Sequence, residues 1–365
     1  ADPGSRLSLL DVDLAFAPAL RGAVERTGLA ATLGASLTAA RVRIHPGAEV
    51  GVASLGAGSQ LDLSEAWVEG STRPGATGGA VGVLASRGGA LSASRVRIEG
   101  LRENGVAALD RGSASIFDGV VTGLRSQTDG TGGLGAYAGQ GGSVALTRTL
   151  IDDVQRGGAV ADTGASLRLD DVAIVGTLPR AEGVAGHGVF VAGARAALRG
   201  VVLRGNHDFG LLGVDGASVD ARDLAVFDTL AVFDGTGSAG VTLRSGSTAT
   251  LTRALLAGNA HSAVVAIDPR TRLTLADIVV TDTRPTRLGF GVGVAAFDGA
   301  SVTLSRGAVE RSGGFGIGAV RRVHGGADLA ASDLFVRAVA DRAVRDAFPQ
   351  GPPVAYGVTI GAGCE

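Results

Sequence analysis

Lysine is absent from this 365-residue sequence, and cysteine, aromatic residues and long apolar runs are scarce. All 33 cationic residues are arginine, and 35 acidic residues leave a formal net charge of −2. This balance lacks the basic surface that is typical of nucleic-acid-binding proteins. Cys364 is the one cysteine, so no disulfide within the chain holds the fold. No apolar run approaches the roughly 18 residues of a membrane-spanning helix. We therefore expect neither a nucleic-acid partner nor membrane insertion.

Glycine and apolar residues are abundant instead. The chain has 60 glycines and is 45% hydrophobic, which is too apolar for a disordered chain. Residues 240–292 contain two consecutive copies of a repeat. Each copy opens with a small residue and a short apolar strand, bends at a polar or glycine corner, alternates as in Leu251-Thr252, and closes on apolar residues such as Leu256. The pattern predicts three short strands per turn.

The repeat recurs along nearly the whole chain. Its opening residues stand at positions 28, 51, 82, 105, 135, 158, 188, 210, 240, 263, 293, 316 and 357. A turn of about 23 residues alternates with one that carries a seven-residue insertion, which predicts about 13 turns and a two-turn unit. The insertions precede an opening residue and occupy residues 72–80, 128–134, 177–187, 233–239, 283–291 and 346–356. Insertions at one corner line one face of a repeat protein, often its binding face.

Turns of about 23 residues with three strands resemble the right-handed parallel β-helix family, which includes pectate lyases, polygalacturonases, phage tailspikes and surface adhesins. The resemblance covers residues 7–361 and implies an all-β, right-handed parallel β-helix solenoid. We expect residues 7–361 to form a single domain, with residues 15–27 as an N-terminal cap. Residues 1–6 would be a processing scar or lead-in. Residues 362–365 would be the truncated end of a longer polypeptide.

The catalytic motifs of the polygalacturonases are largely missing. Gly186-His187-Gly188 matches one of them, and Asp152-Asp153 and Asp170-Asp171 match another. The resemblance would also require Asn-Thr-Asp and a lysine-containing motif, and neither is present. Asp171 and His187 are 16 residues apart, which is short of the 23 that would stack them on adjacent turns.

A second set of carboxylates follows the two-turn period. Asp110, Asp162, Asp215 and Asp268 each end an opening strand, at steps of 52, 53 and 53 residues. Carboxylates two turns apart are about 9.6 Å from one another, which is too far to share one cation. An Asp at a bend is also an ordinary turn residue. The five histidines show no metal-ligand spacing, so we expect no metal and no cofactor.

The outward positions of the opening strands carry no charge. They are Ala30, Ala53, Leu84, Ala107, Tyr137, Val160, Phe190, Leu212, Thr242, Val265 and Ala295. Because the inward positions are apolar too, this sheet is expected to be covered on both faces, either by the corner loops or by a partner molecule. If the face binds a ligand, its candidate residues are Tyr137, Phe190 and Leu212, with Arg180 from the adjacent insertion.

Acidic residues and arginines alternate at the position before each third strand. This charge ladder runs Asp11, Arg41, Glu65, Arg95, Asp118, Arg148, Asp171, Gly200, Asp223, Arg253, Asp277, Arg306 and Asp333, with Gly200 as the one gap. Equivalent positions of adjacent turns stack about 4.8 Å apart, so alternation would put each arginine between two carboxylates. We interpret the ladder as structural, because it penalises a one-turn slip in register.

No set of residues in the sequence defines a reaction. We therefore expect a secreted or cell-surface scaffold that binds a glycan or a surface protein and does not catalyse a reaction. The alternative is a polysaccharide lyase or glycoside hydrolase with the pectate lyase-like fold and an unrecognised site. For that alternative, the catalytic candidates are Asp162, His187 and Asp215.

Overall fold

The computed structural model describes residues 4–16, 26–70, 81–231, 238–285, 291–320, 327–337 and 358–360. All regular secondary structure in these residues is β-strand. The described residues contain no helix that is long and apolar enough to span a membrane. The chain divides into two compact units, Ala1–Ala181 (unit 1) and Glu182–Glu365 (unit 2).

Unit 1 contains sixteen strands in its described residues. They are β1 (Arg6–Leu14), β2 (Thr27–Thr32), β3 (Ser36–Ile44), β4 (Val50–Leu55), β5 (Gln60–Glu69), β6 (Val81–Ser86), β7 (Ala90–Glu99), β8 (Asn104–Leu109), β9 (Ser113–Phe117), β10 (Val120–Leu124), β11 (Leu134–Ala138), β12 (Ser143–Thr147), β13 (Leu150–Val154), β14 (Gly157–Asp162), β15 (Ser166–Asp170) and β16 (Ala173–Val175). The opening strands β2, β4, β6, β8, β11 and β14 pair in that order, all in parallel. The remaining strands form a second parallel sheet.

Unit 2 repeats this plan with fourteen strands in its described residues. They are β17 (His187–Ala192), β18 (Arg195–Arg199), β19 (Val202–Arg204), β20 (Phe209–Val214), β21 (Ser218–Phe227), β22 (Ala239–Leu243), β23 (Thr248–Ala257), β24 (Ser262–Ile267), β25 (Arg272–Thr281), β26 (Val292–Phe297), β27 (Ser301–Glu310), β28 (Phe315–Val320), β29 (Asp328–Arg337) and β30 (Val358–Ile360). The opening strands β17, β20, β22, β24, β26 and β28 again pair in parallel. The others form the second sheet.

The predicted all-β parallel β-helix is confirmed, but it has about 11 turns of about 27 residues where about 13 turns were expected. That length is the mean of the short and the long turns. The insertion at residues 128–134 lies at the predicted corner, between β10 and β11, and the described residues 283–285 and 291 of another insertion lie between β25 and β26. The insertions at 72–80 and 346–356 lie outside the described residues. One further detail is wrong: residues 358–360 do not open a turn, because β30 pairs with β29 in the second sheet.

The second and third strands of a turn meet at the ladder position. Every ladder residue, Gly200 included, has a left-handed backbone with φ between 47° and 63°. This conformation bends the chain but lets pairing resume one residue later. In β3 and β5, for example, Ala40 pairs with Ser64 and Val42 with Ala66. Aspartate tolerates the left-handed region better than most residues do, whereas arginine has no such preference. The corner therefore accounts for the acids of the ladder, and the arginines need a further reason.

Salt bridges supply that reason. Each of five ladder arginines bonds the acid one turn earlier: Arg41 to Asp11, Arg95 to Glu65, Arg148 to Asp118, Arg253 to Asp223 and Arg306 to Asp277, at 2.5–2.9 Å. Four of the five use both Nε and Nη2, and a guanidinium fork can hold only one carboxylate in this way. The structure therefore differs from the expected uniform ladder, because no described arginine bridges the acids on both sides.

This asymmetry gives a salt-dependent prediction. Arg148 bonds Asp118 at 2.6 Å, and it senses Asp171 on its other side only through longer-range attraction. We expect Asp118→Asn to lower the Tm in low salt and Asp171→Asn to leave it nearly unchanged, because asparagine keeps the left-handed corner in both. The difference should disappear near 1 M salt, where the screening length is about 3 Å. Equal effects of the two variants in low salt would contradict the pairing.

The same pair also has a defined pH dependence. Hydrogen bonds from Arg148 lower the pKa of Asp118 in the folded protein. Its stabilisation is therefore complete above the ordinary aspartate pKa of about 3.9 and is lost as the pH falls through the lowered folded value. At a pH below the lowered folded-state pKa of Asp118, wild type and Asp118→Asn should therefore have nearly the same Tm.

The core of each unit consists of stacked aliphatic columns. In the opening sheet of unit 1, the inward column Val52, Val83, Val106, Ala136 and Ala159 is fully buried. The small residue at the start of each turn allows this stacking. A Cβ on Gly105 would lie 2.4 Å from the Val121 side chain and 2.6 Å from the Gly135 carbonyl oxygen. The repeated glycine therefore marks the close approach of successive turns.

Unit 2 also has a polar pair in its core, which the sequence did not predict. Asn259 is fully buried. Its Oδ1 accepts hydrogen bonds from the Thr229 hydroxyl (2.6 Å) and backbone N–H (3.2 Å), and its Nδ2 donates to the Val226 carbonyl (3.1 Å). The corresponding corner positions of unit 1 hold the buried side chains of Leu101 and Leu124. Polar and aliphatic residues thus fill the same place in the repeat.

Candidate functional site

Two of the residues singled out from the sequence are joined on the opening sheet of unit 1. Tyr137 occupies an outward position of β11, and Asp162 ends the neighbouring strand β14. The Tyr137 hydroxyl donates a hydrogen bond to Asp162 Oδ2 at 2.9 Å. Burial, followed by this hydrogen bond, raises the pKa of Tyr137 to about 12. Tyr137 therefore keeps its proton at neutral pH and acts as a donor.

Two half-buried arginines lie beside this pair. Arg156 immediately precedes β14, and its backbone N–H donates to the Leu178 carbonyl at 2.7 Å, which brings it next to the segment that carries Arg180. Burial, and then the charge of Arg180, lower the pKa of Arg156. In the described part of the chain, no carboxylate forms a salt bridge with either arginine, although Asp129 and Asp162 attract Arg156 at longer range. The Arg180 Nε is also buried without a hydrogen-bond partner there.

Gln155 fixes the two segments around these arginines. Its Oε1 accepts a hydrogen bond from the Ser126 N–H at 2.9 Å, and its Nε2 donates to the Pro179 carbonyl at 3.0 Å. The corner loop between β10 and β11 is closed by its own bond, from the Gln127 N–H to the Thr131 carbonyl at 2.7 Å. Gln155 thus links this loop to the backbone directly before Arg180. No pattern in the sequence singled out Gln155 or Arg156.

Two further carboxyl groups at this face have pKa values that are shifted in opposite directions. Glu103 directly precedes β8, and the register of β8, β11 and β14 gives Glu103 and Arg156 equivalent places two turns apart. Burial, and then the charge of Asp129, raise the pKa of Glu103. Asp129 lies in the corner loop, where hydrogen bonds from the Thr131 hydroxyl and N–H lower its pKa. The pKa of Glu103 is therefore raised and that of Asp129 is lowered at the same face.

The other predicted residues lie in unit 2. His187 packs between Phe190 and Phe209, with both ring-centroid distances at 5.5 Å. Its Nδ1 lies 3.5 Å from the Asp208 carboxylate. Leu212 pairs in register with Phe190. These residues form a half-buried aromatic cluster around one imidazole.

Asp215 is not part of that cluster. It is an exposed turn residue with φ of 55°, and Asp110 and Asp268 are turn residues of the same left-handed kind. Asp162 differs from them, because it lies one position earlier in the register, opposite Gly139. The four aspartates therefore do not form the column expected from their spacing. Asp153 and Asp170 of the two Asp-Asp pairs bond Arg125 and Arg168. The described residues contain no group of three or more His, Cys, Asp or Glu placed to hold a metal ion.

The outward face of the opening strands is not an open apolar stripe. Leu212 is 7% exposed, and Tyr137 and Phe190 are half-buried. In unit 2, neighbouring outward side chains supply part of this cover, because Val265, Ala295 and Phe297 form a buried cluster against which Phe315 packs. Residues 232–237 and 286–290 of the corner insertions lie outside the described residues, so their contribution to the cover stays a prediction.

No protein-family model matches this chain, and no curated protein matches it. Among solved structures, the periplasmic alginate epimerase AlgG is similar at 9% identity with a TM-score of 0.45, over 91% of this chain and 77% of that one. A point mutant of that enzyme is similar at 10% identity with a TM-score of 0.44, over 92% and 78% of the two chains. Membership of the pectate lyase-like family is not confirmed by these comparisons.

Proposed function

We propose that this protein binds an acidic polysaccharide on the outer face of the opening sheet of unit 1, and that Arg156 and Arg180 pair with its anionic groups. The observation that supports this most directly is the pair of half-buried guanidinium groups without a carboxylate partner among the described residues. Burial and then the like charge of Arg180 lower the pKa of Arg156, despite the attraction of Tyr137, Asp129 and Asp162. A bound carboxylate or sulfate would offset the like charge through charge-assisted hydrogen bonds.

The groups around the arginines favour a carbohydrate over other anions. Tyr137 offers an aromatic ring and, through Asp162, a fixed set of hydrogen-bonding oxygens next to the guanidinium pair. Sugar hydroxyls match such oxygens, and a ring face can pack on tyrosine. A nucleic acid would need a broader basic surface than a chain with net charge −2 provides.

The test is a comparison of charge variants. In affinity electrophoresis at low salt, we expect wild type to bind polygalacturonate. We expect no binding to dextran, which is a neutral polymer. Arg156→Gln with Arg180→Gln should weaken the binding roughly tenfold or more per arginine, because a hydrogen bond to a charged group is worth about 1.5–3 kcal/mol.

The control is Arg87→Gln with Arg111→Gln, which removes the same charge from two exposed turn residues of unit 1. Equal losses in the two double variants would mean that only net charge matters. No binding to polygalacturonate by wild type would also contradict the proposal.

Cleavage of the bound polymer is the second candidate function, and the opposite pKa shifts of Glu103 and Asp129 favour it. Paired carboxyl groups with separated pKa values suit an acid and a base at a glycosidic bond. Glu103 would give a proton to the leaving oxygen, and Asp129 would take a proton from the water that attacks the anomeric carbon. Loss of reducing-end release in Glu103→Gln, with binding retained, would support this function, whereas unchanged release would contradict it. A secreted or cell-surface location remains part of the proposal, and fractionation of producing cells would test it.

A further inference from the structure

A second concave surface lies in unit 1 at the corner that follows the third strands. It is a trough of about 490 Å³, within the range of roughly 300–1,000 Å³ that is usual for small-molecule sites. Its floor is formed by Gly70, Gly100 and Gly123, which occupy one corner position of three successive turns.

The fold does not require glycine at position 123, whereas a Cβ on Gly70 would lie 2.6 Å from the Gly100 carbonyl oxygen. The next turn has Asp153 at the same corner, with φ of 50°, and Asp228 and Asp282 take this corner in unit 2 with φ of 53° and 56°. A side chain is therefore compatible with the left-handed backbone that Gly123 shares with these aspartates. The trough exists because three consecutive turns have no side chain at this corner. It ends at Arg125, which bonds Asp153, the residue that again carries a side chain there.

The walls carry acceptors that are already held in place. Glu69, Glu99 and Thr122 follow one another in register along one side. Glu69 Oε1 accepts from Arg43 Nη2 at 2.9 Å, and Glu99 accepts from Trp67 Nε1 at 2.9 Å and from Arg97 Nε at 2.6 Å. The side chains of Glu69 and Glu99 are only 15% and 26% exposed.

The charges of the trough are balanced within the protein. Arg43 pairs with Glu69, Arg97 pairs with Glu99, and Arg125 pairs with Asp153 through two bonds of 2.7 and 2.9 Å. A metal ion would compete with these guanidinium groups for the same oxygens. A carboxylate oxygen can accept more than one hydrogen bond, so neutral hydroxyl donors can bind without displacing the arginines.

We propose that this trough is a binding site for a neutral polyhydroxylated molecule of monosaccharide size. The hydroxyls donate to Glu69, Glu99 and Thr122, and the bare corner of Gly100 and Gly123 lets the ring approach the backbone. The trough shares no lining residue with the face around Arg156 and Arg180. Its proposed ligand is neutral, whereas the ligand proposed for that face is an anion.

The experiment uses saturation-transfer NMR on the full chain with D-glucose, D-galactose, D-mannose and myo-inositol as probes. At least one probe should receive signal from wild type. Gly123→Asn places a side chain in the trough, and a Cβ there meets only the Gly100 nitrogen at 3.7 Å, so the variant should fold. We expect its signal to fall at least about tenfold, because the new side chain occupies the space of the sugar and prevents its charge-assisted hydrogen bonds to the walls.

Gly205→Asn is the matched control. Gly205 takes the same corner in unit 2 with φ of 62°, and a Cβ there meets nothing within 4 Å. The control should keep the full signal, as should the Arg156→Gln, Arg180→Gln double variant. The proposal is overturned if no probe receives signal, or if Gly123→Asn and Gly205→Asn behave alike. A rise in Tm with Ca²⁺ that Glu99→Gln abolishes, in the absence of a sugar signal, would also overturn it in favour of a cation site.

Discussion

Replacement of Asn259 by leucine is expected to destabilise the protein by roughly 2 to 5 kcal/mol. The substitution leaves the Thr229 N–H and the Val226 carbonyl without their partner inside the core of unit 2, and each buried unsatisfied group costs about 1–3 kcal/mol. Leucine has as many side-chain heavy atoms as asparagine, in the same branched arrangement, and the repeat accepts Leu101 at the corresponding corner of unit 1. The loss should therefore reflect hydrogen bonding more than shape. Denaturant unfolding monitored by circular dichroism measures it.

A double-mutant cycle separates the hydroxyl from the backbone groups. Thr229→Val alone removes one hydrogen bond, from the hydroxyl to Asn259 Oδ1, and should cost about 1 kcal/mol. Because the hydroxyl has already lost its acceptor in Asn259→Leu, the double variant should be less destabilised than the sum of the two single variants. A stability of Asn259→Leu within about 0.5 kcal/mol of wild type would show that the polar pair is dispensable.

Replacement of Gly105 by valine is expected to destabilise unit 1 by about 3 kcal/mol or more. The new Cβ would stand 2.4 Å from the Val121 side chain and 2.6 Å from the Gly135 carbonyl oxygen. The carbonyl belongs to the backbone of the next turn, so neither a rotamer change nor a small shift relieves the contact. Overpacked cores typically lose about 1–3 kcal/mol, and a backbone clash lies at or above that limit. Thermal unfolding of the purified variant measures the loss.

Ala30→Val is the control for this substitution. It adds the same branched side chain to another opening strand, at an exposed outward position. Valine favours strands, so the Tm should change little or rise. If Gly105→Val matched Ala30→Val in stability, the close approach of successive turns would not explain the repeated glycine.

The candidate site was only partly accessible from the sequence. Tyr137, Asp162 and Arg180 were singled out for separate reasons, and the structure gathers them on one face. Arg156 was missed because its significance lies in half-burial next to Arg180, which no local pattern records. A signal was present all the same: Tyr137 and Asp162 are 25 residues apart, which is about one short turn. Alignment of the turns by register would have suggested their contact.

The trough had a sequence signal of the same kind. Gly70, Gly100 and Gly123 occupy one column of the repeat, and Asp153 follows them. Their spacing of about one turn is visible in the sequence. It did not predict a trough, because glycine is frequent throughout the chain. Whether a missing side chain leaves a cavity depends on what the walls place around it. Glu69 and Glu99 are held there by Arg43, Trp67 and Arg97.

The sequence by itself determined the repeat, the parallel solenoid, the position of the insertions and the alternation of the charge ladder. These features follow from apolar periodicity and from small opening residues, which are local properties repeated at a fixed spacing. Only the tertiary structure decided that Arg148 bonds Asp118 and not Asp171, that Asn259 is buried, and that Arg156 lacks a carboxylate partner among the described residues. The physical reason is that stacking brings residues of neighbouring turns within side-chain reach, and rotamer, burial and hydrogen-bond geometry then select among several neighbours that are equivalent in the sequence.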